Sequence, residues 1–234
     1  MASRDILDII TRTALRGNQL RVDLHVSVPG QAEIADPQFI KSAVNSFLIA
    51  ATQRGLDIVG IISDWLLPGK IARQLAQEEG IDIFVLPGQE VVTSEGLGIL
   101  ALNIETEIPQ RLPLNDCLHQ IKAQNGMAVT MRPSKRWMQR LNKMLKEPWC
   151  PAGIEVYSPK LPDFRDLENE PEFALFMTAG AKTPKELLNS NINTITDREW
   201  WVNQGVLTHE TGVNYEPAWL TRGDHQYGTQ GLQY

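Results

Sequence analysis

Cysteine is scarce in this sequence. Its two cysteines, Cys117 and Cys150, stand far apart and form no CxxC, which argues against a disulfide scaffold and a zinc knuckle. Long apolar runs are missing as well. None approaches the roughly 20 residues that cross a bilayer, and the longest, Leu56 to Ile62, is interrupted by Asp57 and Gly60. The first apolar stretch contains Asp5, Asp8 and Arg12, so it does not read as a signal peptide. A cytoplasmic protein without membrane contact is the expectation. There is no GxGxxG after the first predicted strand and no GxxxxGK followed by Ser or Thr, which removes the dinucleotide fingerprint and the P-loop. No internal repeat appears, and Pro and Gly are scattered, so no interdomain linker stands out. An excess of positive charge is absent too: 22 Lys and Arg against 28 Asp and Glu give −6. That balance argues against wholesale coating of nucleic acid, while leaving room for a local basic patch.

What is present is ordinary for a globular chain: 234 residues, 42% apolar and 21% charged. At about 150 residues per domain the length gives one or two domains, and a single α/β barrel of about 200–250 residues fits equally well. The apolar pattern alternates between strands and helices. Ser3 to Arg16 reads as a helix stopped by Gly17, and Arg21 to Val26 as a strand. Asp36 caps a helix opened by Pro37, with Phe39, Ile40, Ala43, Phe47, Leu48 and Ala51 on one face and Gly55 at its end. Strands follow at Leu56–Ile62, Ile81–Leu86, Gly98–Asn103, Met127–Met131 and Gly153–Tyr157. Helices are predicted at Gly69–Glu79, Leu114–Gln124, Ser134 to about Lys146, and Pro184–Leu188 after Thr183. Phe173–Thr178 is too short an apolar run to decide between strand and helix, and no element is assigned beyond Ile192. Short, strongly apolar strands separated by helices predict a parallel sheet covered on both faces. About seven such units suit a barrel better than an open sheet. The predicted layout is an N-terminal helical extension over 1–20, a barrel domain over 21–220, and a polar Gly/Gln-rich tail over 221–234.

In an α/β barrel the chemistry sits just beyond the carboxyl ends of the strands. Those junctions read Asp23-Leu24-His25-Val26-Ser27, Ser63-Asp64-Trp65, Pro87-Gly88-Gln89-Glu90, Gly98-Ile99-Leu100, Thr130-Met131-Arg132-Pro133, Gly153-Ile154-Glu155-Val156 and Gly180-Ala181-Lys182. In this order the chain resembles the PHP family, the polymerase and histidinol phosphatase domains. The family's motifs are DLHxHS, GL-D ending in ITDH, PGxE, a His before a hydrophobic pair, GGxxxxAHP, GxEV and GSDxH. The likeness covers roughly Arg21 to Pro184. It implies a distorted (β/α)7-type barrel, and in active members a metal cluster at the strand ends that hydrolyses phosphoesters.

The departures carry the functional reading. His25 and Glu90 match ligand-type positions. Ser27, Trp65, Gly98, Arg132, Lys182 and Pro184 stand where the family has metal-binding residues, and Asp23 and Asp64 match positions that are chiefly supporting. Glu33 is the one further acid near enough to consider. A catalytic divalent site needs about three protein ligands and an open water position, and a two-metal site needs more. Arg132 and Lys182 would repel a cation placed between them. No residue is therefore assigned a catalytic role, and no metal is expected. His25 reads as a hydrogen-bonded strand-end residue. Glu90 reads as the partner of Arg132 or Lys182, and Trp65 as a ring plugging the cavity. Pro133 and Gly88 read as turn residues kept for backbone shape.

Two functions from different classes follow. The first is a catalytically inactive PHP-like module acting by binding or assembly with another protein. Some PHP domains attached to bacterial replicative polymerases look like such degenerate versions; a similar role here would be played in trans. In it, Arg132 and Lys182 either neutralise the acids left behind or hold a phosphate or nucleotide without metal. The second is a phosphoesterase with a reduced or rearranged site using Mn, Fe or Zn. Separately, the helix from Ser134 carries Lys135, Arg136, Arg140, Lys143 and Lys146 opposite a stripe of Trp137, Leu141, Met144 and Leu145. This is a solvated basic face or a patch for an acidic partner or a nucleic-acid backbone. Trp200, Trp201 and Trp219 read as packing for the last barrel elements, and His119, His209 and His225 match no motif.

Overall fold

A computed structural model describes residues 19–28, 37–144, 147, 150–157, 174–178, 180–190, 194–197 and 200–201. The helix predicted over Ser3–Arg16, Glu33, Lys146, Trp219 and the polar tail all lie outside the described residues. The elements in chain order are β1 (Gln19–Ser27), α1 (Pro37–Arg54), β2 (Ile58–Ser63), α2 (Leu67–Glu79), β3 (Phe84–Val92), β4 (Gly98–Leu102), α3 (Leu114–Ala123), β5 (Met127–Met131), α4 (Lys135–Met144), β6 (Gly153–Tyr157), β7 (Ala174–Met177), α5 (Pro184–Asn189) and β8 (Thr194–Asp197).

The helices form where capping and apolar spacing agree. In α1, Ile40, Val44, Phe47, Leu48 and Ala51 are buried at helical spacing. Phe39, expected on this face, is 66% exposed, because it sits one residue, about 100° of helix turn, off the buried stripe. Gly80 ends α2 in the left-handed conformation (φ 63°), its N–H reaching the carbonyls of Ala76 and Gln77. The Thr183 hydroxyl accepts from the Glu186 N–H at 3.1 Å and caps α5.

The strands form one sheet in the order β7-β6-β5-β4-β3-β2-β1-β8. It is not all parallel, as the pattern suggested. β4 runs antiparallel to both β3 and β5, and β8 antiparallel to β1. The reason at β4 is the connection: residues 93–97 turn back at once, with the Thr93 N–H bonded to the Leu97 carbonyl, and a parallel return needs a long crossover. β3 also continues past Leu86 to Val92, so Pro87 and Gly88 are strand residues rather than a turn. Pro87 and Gly88 lie opposite Ile61 and Ile62 of β2. The undecided segment around Phe176 is a strand, β7, and β8 is a strand with no clear sequence signal.

The sheet curls. β8 covers the first half of β1, from Gln19 to Val22. Beyond it, the segment after β7 reaches β1: Val26 bridges Ala181, and the Ser27 N–H donates to the Ala181 carbonyl at 2.8 Å. Leu24, Ile62, Leu86, Leu100, Val129 and Phe176, from six strands, therefore pack on one another inside the curl. Trp201 fills this interior, fully buried, with its indole N–H on the Thr196 hydroxyl at 2.8 Å. One apolar layer lies outside the curl between the sheet and α1, α2 and α5; another lies against α3 and α4. This is a barrel-like α/β fold in which the hairpin at β3–β4 breaks strict strand–helix alternation.

Candidate functional site

The site begins with an irregularity in β1. Its pairing with β2 shifts register between Asp23 and Val26. Before the shift Leu24 packs inside the curl; after it Val26 packs in the outer layer. The two would share a face in a regular strand, so the bulge changes the parity and re-aims His25. The bulge presses on β2. A Cβ at Gly60 would stand 2.3 Å from the Leu24 carbonyl oxygen, so only glycine fits there.

His25, 5% exposed, meets Glu155 of β6. Its Nδ1 lies 2.7 Å from Glu155 Oε1, across 130 residues of sequence. Ile154 packs in the outer layer, so strand alternation turns the next residue, Glu155, inward. The Thr178 hydroxyl, one residue past β7, donates to the same Glu155 oxygen at 2.5 Å. Arg132, one residue past β5, brings its Nε to 3.4 Å from Glu155 Oε2. Its backbone is left-handed (φ 42°), a conformation that costs a non-glycine residue energy and tends to persist where the surroundings enforce it. The Arg132 N–H is bonded to the Glu155 carbonyl at 3.2 Å, which fixes this turn over the strand end. Glu90, on β3, places Oε2 3.9 Å from His25 Nε2.

Charge is settled within this cluster. Burial by itself would lower the His25 pKa, but the hydrogen bond and the charge of Glu155, with Glu90 and Asp23 behind it, raise it above 6.5. Glu155 is 1% exposed, and burial would raise its pKa; His25, Thr178 and Arg132 hold it below 4.5 instead. Glu155 Oε2 is buried and makes no hydrogen bond, its nearest described cation being Arg132.

The residues named from sequence are thus brought together unevenly. His25, Glu90 and Arg132 share one site. Glu155 joins them at its centre; its signal in the sequence is the motif Gly153-Ile154-Glu155-Val156 at a strand end. Glu90 does not pair with Arg132 or Lys182 as expected; its ionic neighbour is His25, and Arg132 turns to Glu155. Lys182 is exposed, with its backbone N–H on the Glu186 carboxylate at 2.8 Å, and among the described residues its ammonium pairs with neither Glu90 nor Glu155. Trp65 packs against the outer layer and does not join the interior cluster; its indole N–H is buried without a hydrogen bond.

The metals implied by the PHP resemblance can be tested against these contacts. His25 Nδ1 is committed to Glu155, and a guanidinium stands on the remaining Glu155 oxygen. At Gly98, a Cβ would lie 3.1–3.2 Å from Met131 side-chain atoms, leaving little space for a larger side chain. Pro184 opens α5 behind the Thr183 cap. Among the described residues no group of three or more His, Cys, Asp or Glu is arranged to hold a metal ion. The donor set does not fit a metal cluster. A cysteine nucleophile at Cys117 is also disfavoured, since burial and then the charge of Glu95 push its thiol up to about 11.

On α4, Arg136, Arg140 and Lys143 are exposed; the side chain of Lys135 lies outside what is described. Met138 and Leu141 form its buried stripe, with Trp137 and Met144 half-buried. Arg140 stacks over Trp137 at 4.9 Å and reaches Glu95 at 3.3 Å, so part of the basic face is already engaged. No described helix is long and apolar enough to cross a membrane.

No family model matches the chain. An uncharacterized protein of Methanocaldococcus jannaschii is 25% identical over 120 residues, covering 49% of this chain and 68% of that protein. PsfC from Pseudomonas syringae PB-5123 matches 77% of this chain with 82% of its own, at 14% identity and a TM-score of 0.50. The lesion-specific endonuclease PfuEndoQ from Pyrococcus furiosus matches 81% of this chain at 12% identity and a TM-score of 0.51; the match spans 56% of the endonuclease. At such identities the likeness is one of fold, and this chain shares with both a barrel-like α/β architecture.

Proposed function

We propose that the protein is a degenerate, non-catalytic PHP-like barrel. In this reading it acts in the cytoplasm as a binding or assembly module and holds a phosphate-bearing ligand at its strand ends without metal. One observation carries the reading. Arg132 meets Glu155 through Nε, and its side chain is 41% exposed. A guanidinium fixed on one edge and open on the other suits a phosphate, which it can meet with two parallel hydrogen bonds. Such charge-assisted bonds contribute roughly 1.5–3 kcal/mol each. Lys182, exposed beside the segment that bridges β1, is the second cation of the proposed site. Arg136, Arg140 and Lys143, with Lys135 and Lys146 beside them in sequence, would extend the contact toward an acidic protein or a nucleic-acid backbone.

Calorimetry in metal-free buffer with inorganic phosphate, a nucleotide and a short oligonucleotide tests this. Binding by the wild type that is lost in Arg132→Ala is expected. No heat from any of the three, or equal binding by Arg132→Ala, would leave Arg132 as an internal counter-charge.

A second reading, a phosphoesterase with a rearranged metal site, draws on the unbonded Glu155 oxygen beside His25 and Glu90. It requires turnover of a generic phosphoester with Mn, Fe or Zn that disappears in His25→Ala or Glu90→Ala.

A further inference from the structure

We propose that the outer face of α1 is the docking site of the chain's own N-terminal segment, Ser3–Arg16, laid along it as an amphipathic helix. α1 packs beside α2 and α5, with Val44, Phe47, Leu48 and Ala51 in the apolar layer on the sheet. Its opposite face has a composition that contact with water does not explain. Gln38, Phe39, Ser42, Ser46, Ile49 and Gln53 are exposed and fall within about 100° of one another around the helix. None of the six is charged. Phe39 is 66% exposed and Ile49 49%. Lys41, the one charged residue of α1 before Arg54, lies to the side and pairs with Glu78 of α2 at 3.9 Å. A solvated helix face ordinarily carries charge among its polar residues; here two large apolar side chains stand in its place.

The segment before Gln19 supplies the complement. It lies outside the described residues, but its sequence and its point of attachment are known. Wound as a helix, it gathers Arg4, Asp5, Asp8, Arg12 and Arg16 within about 120°. Apart from Leu15, its aliphatic residues Ile6, Leu7, Ile9, Ile10 and Ala14 take the remaining side, with no charge among them. An uncharged face thus meets an uncharged face. The attachment lies at the matching end of α1. The Arg21 N–H donates to Asp57 Oδ2 at 2.7 Å, and the Arg21 guanidinium donates to the carbonyl of Arg54, the last residue of α1, at 3.2 Å. The chain therefore enters β1 beside the C-terminal end of α1, and Gly17 and Asn18 provide the turn. The 14 residues of Ser3–Arg16 make a helix about 21 Å long, against about 27 Å for the 18 residues of α1. Lying parallel to α1, it spans the face from Gln53 back to Phe39.

Hydrogen–deuterium exchange on the full chain tests the docking. The amides of residues 6–16 should exchange at least roughly tenfold more slowly than in the same segment as a free peptide. Phe39→Glu/Ile49→Glu should abolish that protection; both side chains are exposed, and circular dichroism confirms that the barrel stays folded. A reciprocal measurement perturbs only the segment. In a chain carrying Ile49→Cys and Cys150→Ser, with Cys117 buried, Ile6→Glu/Ile10→Glu should speed thiol labelling at position 49 at least roughly tenfold. Free exchange of residues 6–16 in the wild type would overturn the proposal, as would protection that survives Phe39→Glu/Ile49→Glu or labelling that Ile6→Glu/Ile10→Glu leaves unchanged. Protection that grows with protein concentration, alongside a dimer in sedimentation, would also overturn it and assign the face to a second copy of the chain. Phosphate binding at Arg132 enters none of these outcomes.

Discussion

Strand β1 carries two buried ion pairs only two residues apart, and they differ in how completely they are closed. Asp23 is fully buried and uses both carboxylate oxygens: Oδ2 accepts from Arg54 Nη1 at 3.1 Å and Oδ1 from the His25 N–H at 3.3 Å. Arg54, the last residue of α1, is 6% exposed at its side chain, so the pair ties the helix end to the sheet. His25 and Glu155 are equally buried, but their cluster is open. It includes a half-exposed Arg132, a half-exposed Glu90 and a carboxylate oxygen with no hydrogen bond. A satisfied buried pair fixes geometry and offers nothing to a ligand. A cluster with an unspent acceptor and an exposed cation still has chemistry to offer. This contrast places the candidate site at the strand ends, away from the outer face where Asp23 sits.

The largest expected effect is at the closed pair. Arg54→Met leaves Asp23 buried without its cation and should cost about 3–5 kcal/mol in chemical denaturation. A loss under roughly 1 kcal/mol would mean Asp23 is relieved by other contacts.

Gly60→Ala strikes the bulge between the two pairs. Its Cβ collides with the Leu24 carbonyl, so about 1–3 kcal/mol should be lost. The His25 ring resonances should shift as well; unchanged resonances would detach His25 from the bulge.

Glu155→Gln opens the second pair and should cost about 1–3 kcal/mol near neutrality. The pH dependence sharpens it. His25 has a raised pKa, so its contribution is complete below 6.5 and is lost as pH climbs through the folded value. Glu155 has a lowered pKa, so its contribution is complete above 4.5 and is lost as pH falls through the folded value. Wild-type stability should therefore hold a plateau between these limits, and Glu155→Gln should flatten it. Equal curvature in the two proteins would assign the dependence to other groups.

Arg140→Ala should matter least. It removes an exposed pair with Glu95 and the stacking on Trp137, together worth about 0.5–1 kcal/mol. A thermal melt that moves more than Gly60→Ala does would make α4 a structural clamp instead of a free basic face.

Local pattern accounts for what could be read beforehand. β5 and β6 have the predicted bounds, and α1 runs from Pro37 to the residue before Gly55, because capping and periodicity act within a few residues. Direction does not act so locally. Nothing in Gly98–Leu102 says that this strand runs antiparallel to both neighbours; the short turn at 93–97 and the pairing with β5 decide it. In the site, His25, Glu90 and Arg132 were legible as strand-end residues, but their pairing was not. Whether Arg132 turns to Glu90 or Glu155 depends on a left-handed backbone and on β5–β6 register.

By itself, then, the sequence determined the succession of strands and helices and the residue types at the strand ends, since both follow from spacing along the chain. Tertiary structure alone decided that β1 bulges, that Glu155 joins His25 across 130 residues, and that Arg132 covers the pair. These are matters of register and parity. A shift of one residue reverses which side chain faces inward, and no local interaction records it.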